Sequence, residues 1–363
     1  MNPTLQNLMA QATRLTQGGD LMAATSVIQA ALRGAVSLET ATDQAGGSDA
    51  NVIDVDAREV HRAAPEIYGN SEPADSHDHD PGGQFISGNF ANASGTRAYK
   101  LYIPPAASST TETLPLVVML HGCTQNPDDF ALGTRMNEVA RKRGCYVLYP
   151  AQTQHANSSR CWNWFKHNHQ ARGRGEPDLL SSMALDVMGR YAIDRRRVYV
   201  AGLSAGGAMA AILGDTYPDL FAAVGVHSGL PTGSATDIQG ALNAMRIGAK
   251  TITQMSASPP TIVFHGDKDA TVHPANGELV VAASAGAAQV ERHQSQSDNG
   301  RQYTRRVYKD AGGQTMAEHW TLHGAGHAWS GGSAKGSFTD SKGPDASEEM
   351  MRFFLLKSLH RPH

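Results

Sequence analysis

Apolar residues recur at intervals of three and four between Leu5 and Gly34, and the polar break Gly18-Gly19-Asp20 divides them into two runs. Such spacing is typical of amphipathic helices, and the aspartate of the break is a suitable N-cap for the second helix. We therefore predict an N-terminal helical hairpin over residues 1–36. It packs against the rest of the chain or, as an alternative, mediates formation of a homodimer.

Residues 37–83 show no sustained hydrophobic period and are rich in Gly, Asp, Ala and Pro. That composition favours a flexible linker. The alternating His-Asp stretch at 76–80 has no complementary ligand pair at a zinc-like spacing. A solvated acidic loop is therefore favoured over a metal site.

From Gln84 onward, short β-type runs give way to continuous apolar runs that alternate with helical segments. Two antiparallel strands are expected at 85–90 and 97–103, around a turn at 92–95. Further strands are predicted at 116–121, 146–149, 198–203, 221–227, 261–265, 305–308 and 318–322, and helices at 130–143, 178–191, 208–213, 275–287 and 346–359. This alternation predicts an α/β domain over residues 84–363, with a doubly wound, mostly parallel sheet and helices on both faces.

The chain of 363 residues is 40% hydrophobic and has a formal net charge of −3. It is long enough for a sizeable core, and its charge gives no reason to expect nucleic acid as a partner. No apolar run approaches the roughly 18 residues of a membrane span. The first residues show no basic region followed by an apolar stretch, so a cytoplasmic protein is predicted. The odd count of three cysteines does not indicate a disulfide framework.

The stretch most informative about chemistry is Gly-Leu-Ser-Ala-Gly at 202–206, which lies between a β-branched apolar run and a helical one. This is the nucleophile-elbow pattern, in which a serine lies on a sharp strand-to-helix turn and the flanking glycines prevent a clash. A glycine-rich turn with an incidental serine is the alternative, but the strand-helix context favours Ser204 as a nucleophile. The helix would then present the Ala205 N–H to a developing oxyanion.

A serine nucleophile needs a base and an orienting carboxylate. On a sheet of this kind the acid follows the serine in the chain, and the histidine follows the acid. Asp267 and Asp269 both come after the apolar strand at 261–265. Asp269 is preferred because it lies further past the strand end, whereas Asp267 is expected to cap the turn.

Sixteen histidines are present, so residue type alone does not identify the base. His327 is preferred because it follows the acid and lies in a loop of small residues after a predicted strand. His323 is interpreted as the strand-end residue and His319 as a partly exposed strand residue.

The loop after the first apolar strand, His-Gly-Cys-Thr-Gln at 121–125, is suited to donate a second oxyanion N–H. We assign this role to the backbone of Cys123, so its thiol need not take part in the chemistry. A cysteine nucleophile is disfavoured because none of the three cysteines lies in an elbow pattern.

Together these motifs resemble the esterase family named after poly(3-hydroxybutyrate) depolymerases, close to the feruloyl and acetylxylan esterases. The resemblance runs from about Tyr99 to Leu356 and rests on segments at 118–125, 161–165, 202–207, 265–269 and 326–332. It implies an α/β-hydrolase fold, carboxylic-ester hydrolysis without a metal or organic cofactor, and a triad of Ser204, Asp269 and His327. It also implies that three tryptophans line the acyl or polymer groove, in loops whose composition makes burial less expected: Trp162, Trp164 and Trp329.

The expected substrate is a 3-hydroxybutyrate polymer or oligomer, or a related short-chain ester. Alternatives are a feruloyl- or acetylxylan-type esterase, an acyl transferase or peptidase on the same fold, and a granule-binding protein with little catalysis that uses the N-terminal hairpin. Cys123 and Cys161 lie in loops that should meet near Ser204. A disulfide between them and a pair of free thiols are both compatible with the sequence.

Overall fold

The computed structural model of the chain describes residues 82–250, 258–286 and 288–359. The predicted N-terminal hairpin, and all but the last two residues of the predicted linker, lie outside these residues. The strands are β1 (Gln84–Asn92), β2 (Gly95–Ile103), β3 (Leu114–Leu120), β4 (Tyr146–Pro150), β5 (Ile193–Leu203), β6 (Ala223–His227), β7 (Thr261–Gly266), β8 (Gln289–Gln296), β9 (Gln302–Lys309), β10 (Thr315–Leu322), β11 (Trp329–Ser330) and β12 (Thr339–Asp340). The helices are α1 (Ala106–Ser109), α2 (Pro127–Thr134), α3 (Met136–Arg143), α4 (Gly175–Arg190), α5 (Ala205–Thr216), α6 (Ile238–Ile247), α7 (Ala275–Ala285) and α8 (Ala346–Leu355).

Ten strands form one sheet in the order β1-β2-β4-β3-β5-β6-β7-β10-β9-β8. The central strands from β4 to β10 in this order pair in parallel, and the two outer strands on each side pair antiparallel. The prediction of a doubly wound, mostly parallel sheet is confirmed. Ser204, Asp269 and His327 follow β5, β7 and β10, so all three lie at the edge where the parallel strands end.

Strand β3 shows why the apolar runs are continuous. Val118 and Leu120 belong to one hydrophobic cluster, while Val117 and Met119 belong to a second one on the opposite face. Every one of these side chains is fully buried. A strand with helices on both faces cannot alternate between apolar and polar residues, because neither face meets water.

Several elements differ from the prediction, among them the short elements α1, β11 and β12, which were not predicted. The single helix expected at 130–143 is two helices, because Arg135 has a left-handed backbone (φ 55°) that ends α2 and precedes α3. Strand β8 and helix α6 were not predicted. In β8 all eight residues are exposed and mostly polar, so it has no hydrophobic period to reveal it.

No helix of the described segments is long and apolar enough to cross a lipid bilayer.

Candidate active site

Ser204 occupies a sharp turn between β5 and α5, with φ 58° and ψ −119°. A non-glycine residue rarely adopts this conformation, and it is found where the surrounding structure compels it. The adjoining glycines explain how. A Cβ on Gly206 would lie 2.0 Å from the carbonyl oxygen of Leu120, and one on Gly202 would lie 2.4 Å from the Gly206 carbonyl oxygen. Only glycine fits at these two positions, so the Gly-x-Ser-x-Gly spacing is a steric requirement of the turn.

Asp269 lies in the loop after β7 and contacts His327 directly. Its Oδ2 atom is 2.7 Å from His327 Nδ1, and its Oδ1 atom accepts the N–H groups of Thr271 and Val272, each at 2.9 Å. Burial acts to raise the pKa of Asp269, but the hydrogen bond and charge of His327 and the Val272 N–H outweigh it, so the pKa is lowered. The carboxylate is therefore ionised at neutral pH and holds the imidazole by one ring nitrogen.

The Oγ atom of Ser204 makes no hydrogen bond with any residue that the structure describes. The structure thus brings Asp269 and His327 into contact, and places the serine on the same sheet edge two strands before the acid. Contacts between nucleophile and base are often long until substrate binds.

His227, at the end of β6, connects the serine turn with the loop of His327. Its carbonyl oxygen accepts the Ser204 N–H at 2.9 Å, and its Nε2 accepts the Ser330 N–H at 3.0 Å. The ring is stacked on Trp329, with centroids 5.1 Å apart. Burial holds the pKa of His227 well below its usual range, so the ring stays neutral and can accept this hydrogen bond. Sequence analysis missed His227, whose only signal is its place at a strand end.

The loop after β3 is held by the side chain of Gln125. Its Oε1 accepts the Gly122 N–H at 2.9 Å, and its Nε2 donates to Asp129 Oδ2 at 2.9 Å. Within the described part of the chain, the N–H groups of Cys123 and Ala205 donate no hydrogen bond. Neither N–H group is thus engaged by another acceptor there, which is what the predicted role requires.

Cys123 and Cys161 form a disulfide, with their Cα atoms 4.2 Å apart. This decides between the two alternatives left open by the sequence. The bond ties the loop after β3 to the tryptophan-rich loop between β4 and α4. Cys145 is a free, buried thiol whose pKa is raised by burial, so it behaves as a small apolar group.

The three tryptophans predicted to line a groove are buried, and this corrects the expectation that their loops would expose them. Trp162, Trp164 and Trp329 are 0%, 4% and 1% exposed. The indole N–H of Trp162 donates to the carbonyl oxygen of His121 at 3.1 Å, and that of Trp329 to Ser347 Oγ at 3.2 Å. A large ring whose N–H finds an acceptor can be buried at little cost. The two indole hydrogen bonds join the loop after β4 to the loop after β3, and β11 to α8.

His121 and His265, each followed by a glycine, were not predicted as site residues. His121 Nε2 accepts the Gln152 N–H at 3.1 Å. His265 Nε2 lies 2.8 Å from the Val272 carbonyl oxygen and 3.5 Å from Asp269 Oδ2. Burial lowers the pKa of each ring to about 4, so both are neutral at pH 7. His319, expected to be partly exposed, is also buried.

Among the described residues, no group of three or more His, Cys, Asp or Glu side chains is arranged to hold a metal ion.

A serine turn above a mostly parallel sheet, with an acid after β7 and a histidine after β10, defines the α/β-hydrolase fold. Residues 97–301, more than half of the chain, match the family described as esterase PHB depolymerase. The chain belongs to this family.

Curated relatives include poly(3-hydroxyalkanoate) depolymerase C of Paucimonas lemoignei, 32% identical over 66% of this chain and 60% of the relative. Poly(3-hydroxybutyrate) depolymerase of Ralstonia pickettii is 31% identical over 63% of this chain and 51% of the relative. Acetylxylan esterase A of Talaromyces purpureogenus is 28% identical over 53% and 54% of the two chains. The chain thus spans between half and three fifths of the length of these relatives.

Solved structures support the fold. The acetyl xylan esterase from Aspergillus awamori has a TM-score of 0.53 at 21% identity, and the match covers 68% of this chain and 93% of that one. The S-formylglutathione hydrolase from Agrobacterium tumefaciens has a TM-score of 0.51 at 13% identity, with 76% and 96% covered. At these identities the likeness concerns the fold alone.

Proposed function

We propose that the chain is a serine esterase in which Ser204 is the nucleophile, His327 the base and Asp269 the orienting acid. The observation that carries the proposal is the 2.7 Å contact between His327 Nδ1 and the ionised Asp269 carboxylate. This contact fixes the tautomer that leaves the other ring nitrogen free to accept a proton.

In the proposed reaction, Ser204 Oγ attacks the ester carbonyl carbon while His327 Nε2 takes the hydroxyl proton. The N–H groups of Cys123 and Ala205 stabilise the tetrahedral oxyanion. When the intermediate collapses, the C–O bond to the alcohol breaks and His327 returns the proton to the leaving oxygen. Water then attacks the acyl-enzyme by the same route and releases the acid.

We propose a 3-hydroxybutyrate oligomer or polymer, or a related short-chain ester, as substrate. The depolymerase names of two relatives support this choice. An acetylxylan-type esterase is the second candidate, favoured by the names of several others. A granule-binding protein with little catalysis, a homodimer through the N-terminal hairpin, and an acyl transferase or peptidase stay predictions of lower rank.

The test is hydrolysis of p-nitrophenyl esters of graded acyl length, beside hydroxybutyrate oligomers, acetylated xylan and matched amides. We expect turnover of the esters, with hydroxybutyrate oligomers preferred over acetylated xylan, and no turnover of the amides. Preference for acetylated xylan would favour the second candidate. No ester hydrolysis with correctly folded protein would contradict the proposal.

The cytoplasmic location stays a prediction, and the disulfide between Cys123 and Cys161 argues against it. Disulfides persist in oxidising compartments and are rare where thiols are kept reduced. Free thiols can be counted by alkylation in protein taken from the cell of origin and denatured without reductant. One thiol per chain favours an oxidising compartment, whereas three favour the cytoplasm.

A further inference from the structure

The segment between β4 and α4 is strongly cationic. Residues 151–174 contain four Lys or Arg residues and three His residues, but no Asp or Glu, in a chain whose net charge is −3. This segment lies against the loop that presents the Cys123 N–H. It is joined to that loop by the disulfide at Cys161 and by the hydrogen bond from Trp162 to the His121 carbonyl oxygen. The cationic segment is therefore attached to the loop that bears one of the two proposed oxyanion donors.

A cavity of about 550 Å³ opens between this segment, the start of β2 and the start of α4. We call it the cationic pocket. Its polar lining includes Arg97, Asn163, Lys166, His169, Arg174 and Glu176. Positive groups outnumber the one carboxylate.

The carboxylate of Glu176 is already occupied. Its Oε2 accepts the Asn163 backbone N–H at 2.6 Å, and its Oε1 accepts Asn163 Nδ2 at 2.8 Å. The guanidinium of Arg97 lies 3.4 Å from Oε1, and both side chains are nearly buried. Glu176 and Arg97 thus offset each other and form the floor of the pocket.

Lys166 and Arg174 are different. Both are exposed at the pocket, and neither side chain forms an ion pair or a hydrogen bond with a described residue. The pocket therefore has two positive charges that are not neutralised by a neighbouring acid. Such a pair suits an anionic ligand group, a carboxylate in particular.

The pocket lies along the sheet edge from Ser204. Arg97 is on β2, which is separated from β5 by β4 and β3. Three strand spacings of about 4.8 Å separate β2 from β5, so the Arg97 side of the pocket is about 14 Å from the strand of the serine. A hydroxyacid unit with four backbone atoms spans roughly 4.5 Å when extended, by comparison with roughly 3.5 Å for the three atoms of an amino-acid residue. The separation corresponds to about three ester units.

We propose that the cationic pocket binds the free terminal carboxylate of an ester oligomer whose scissile bond is at Ser204. The inference rests on the proposed function and narrows its substrate to short chains that retain an acidic end. Lys166 and Arg174 supply the charge that recognises the carboxylate. They are specificity residues and take no part in bond breaking.

The test compares a 3-hydroxybutyrate tetramer bearing a free carboxylate with its methyl ester. For the wild-type protein we expect KM for the acid to be lower by about fivefold, with similar kcat, because two exposed charge pairs together contribute about that much to binding. The difference should shrink at high salt, because mobile ions screen exposed charges. In the double variant Lys166→Gln/Arg174→Gln the ratio of the two KM values should approach one.

The matched control is Arg195→Gln/Arg292→Gln, which changes the net charge equally at exposed positions outside the pocket. It should keep the wild-type KM ratio. Equal KM values for acid and methyl ester in the wild-type protein would overturn the proposal, as would a control variant that loses the ratio equally. Free 3-hydroxybutyrate that competes as well as the tetramer acid would also overturn it, since the pocket would then capture product and not a chain end.

Binding to Ser204→Ala, measured by calorimetry, separates this proposal from the proposed function. If that variant binds the acid about fivefold more tightly than the methyl ester, carboxylate binding by the pocket is supported, even where the wild-type protein hydrolyses neither compound. If the wild-type protein hydrolyses both and the variant shows no preference, the esterase proposal stands and the pocket does not.

Discussion

His323 Nδ1 lies 3.0 Å from Asp267 Oδ2, so the chain contains a second Asp-His pair two residues before Asp269 and four before His327. The two pairs come from the same adjacent strands, β7 and β10, but they differ in environment. The side chains of Asp267 and His323 are 35% and 38% exposed, whereas those of Asp269 and His327 are 0% and 11% exposed. The outer pair is therefore a natural control for the inner one.

Substituting each aspartate by asparagine tests the assignment of the acid. Asp269→Asn should leave the geometry nearly intact but favour the wrong His327 tautomer, with a loss in kcat on the order of 10⁴. Asp267→Asn removes the negative charge and the Oδ2 acceptor that faces His323 Nδ1 at the surface, while its amide oxygen can still accept the Gly324 N–H, so it should lower kcat less than about tenfold. Steady-state kinetics on a p-nitrophenyl ester measures both. If the two effects were reversed, Asp267 would be the acid.

Ser204→Ala should lower kcat at least about 10³-fold, in the range seen when a triad residue is removed. Its melting temperature should stay near that of the wild-type protein, since one oxygen is lost. Ser204→Gly should be equally inactive but more stable than Ser204→Ala by about 1 kcal/mol or more, because glycine relieves the strain of φ 58°. Activity above a tenth of wild type in a folded Ser204→Ala protein would rule out this nucleophile.

Reduction of the disulfide between Cys123 and Cys161 should act mainly on catalysis. The loop after β3 would lose its covalent tie, and displacement of one oxyanion N–H lowers kcat by about 10²-fold or more. The free energy of unfolding should fall by about 2–4 kcal/mol, so the protein remains folded. Kinetics and near-UV circular dichroism, recorded with and without reductant, measure the two effects.

The control is Cys123→Ala/Cys161→Ala, whose kcat should not respond to reductant. Unchanged kcat in fully reduced wild-type protein would mean that other contacts, such as those of Gln125, hold the loop alone.

Stability should fall as the pH drops below about 6.5. The pKa values of His121 and His265 are lowered to about 4 by burial, below those of the unfolded chain. Between these values the unfolded chain binds protons that the folded protein excludes. The contribution of the two rings to the free energy of unfolding is therefore complete above about pH 6.5 and is lost as the pH falls towards 4. Each ring contributes roughly 3 kcal/mol over this range.

Urea unfolding at pH 7.5, 6 and 5 gives the slope of stability against pH. His265→Gln should reduce proton uptake on unfolding by about one, whatever its effect on stability at pH 7.5. A slope that is the same in His265→Gln as in wild type would contradict the buried neutral state of this ring.

Deleting residues 1–79 tests the predicted domain organisation, in which the α/β domain begins near Gln84. The compact unit that contains the α/β domain begins at Asp80, so the deletion leaves all of β1 in place. The truncated protein should keep its kcat on small soluble esters, while homodimer formation or granule binding would be lost if the predicted hairpin mediates them. An insoluble or inactive fragment would show that the catalytic domain needs the first 79 residues.

Local patterns in the sequence were enough to predict the strands that carry the site and the turn at Ser204. The glycines at 202 and 206 are required by contacts within five residues of chain and with the adjacent strand, so their spacing is visible without a structure. The preference for Asp269 over Asp267 likewise follows from distance past a strand end. The order of residues in the chain and the ends of apolar strands can both be recognised in the sequence itself.

Burial and pairing between distant segments were decided only by the tertiary structure. Trp162 lies in a polar loop and Trp329 in the short strand β11 within a polar segment, yet both are buried because residues elsewhere in the chain provide packing and an acceptor for each indole N–H. The disulfide depends on two loops meeting, and β8 exists through its pairing with β9 in spite of a polar sequence. The role of His227 depends on partners about 20 and 100 residues away. Such contacts join residues that are far apart in the chain. The local sequence around each residue does not indicate its partner, because the fold alone sets the distance between them.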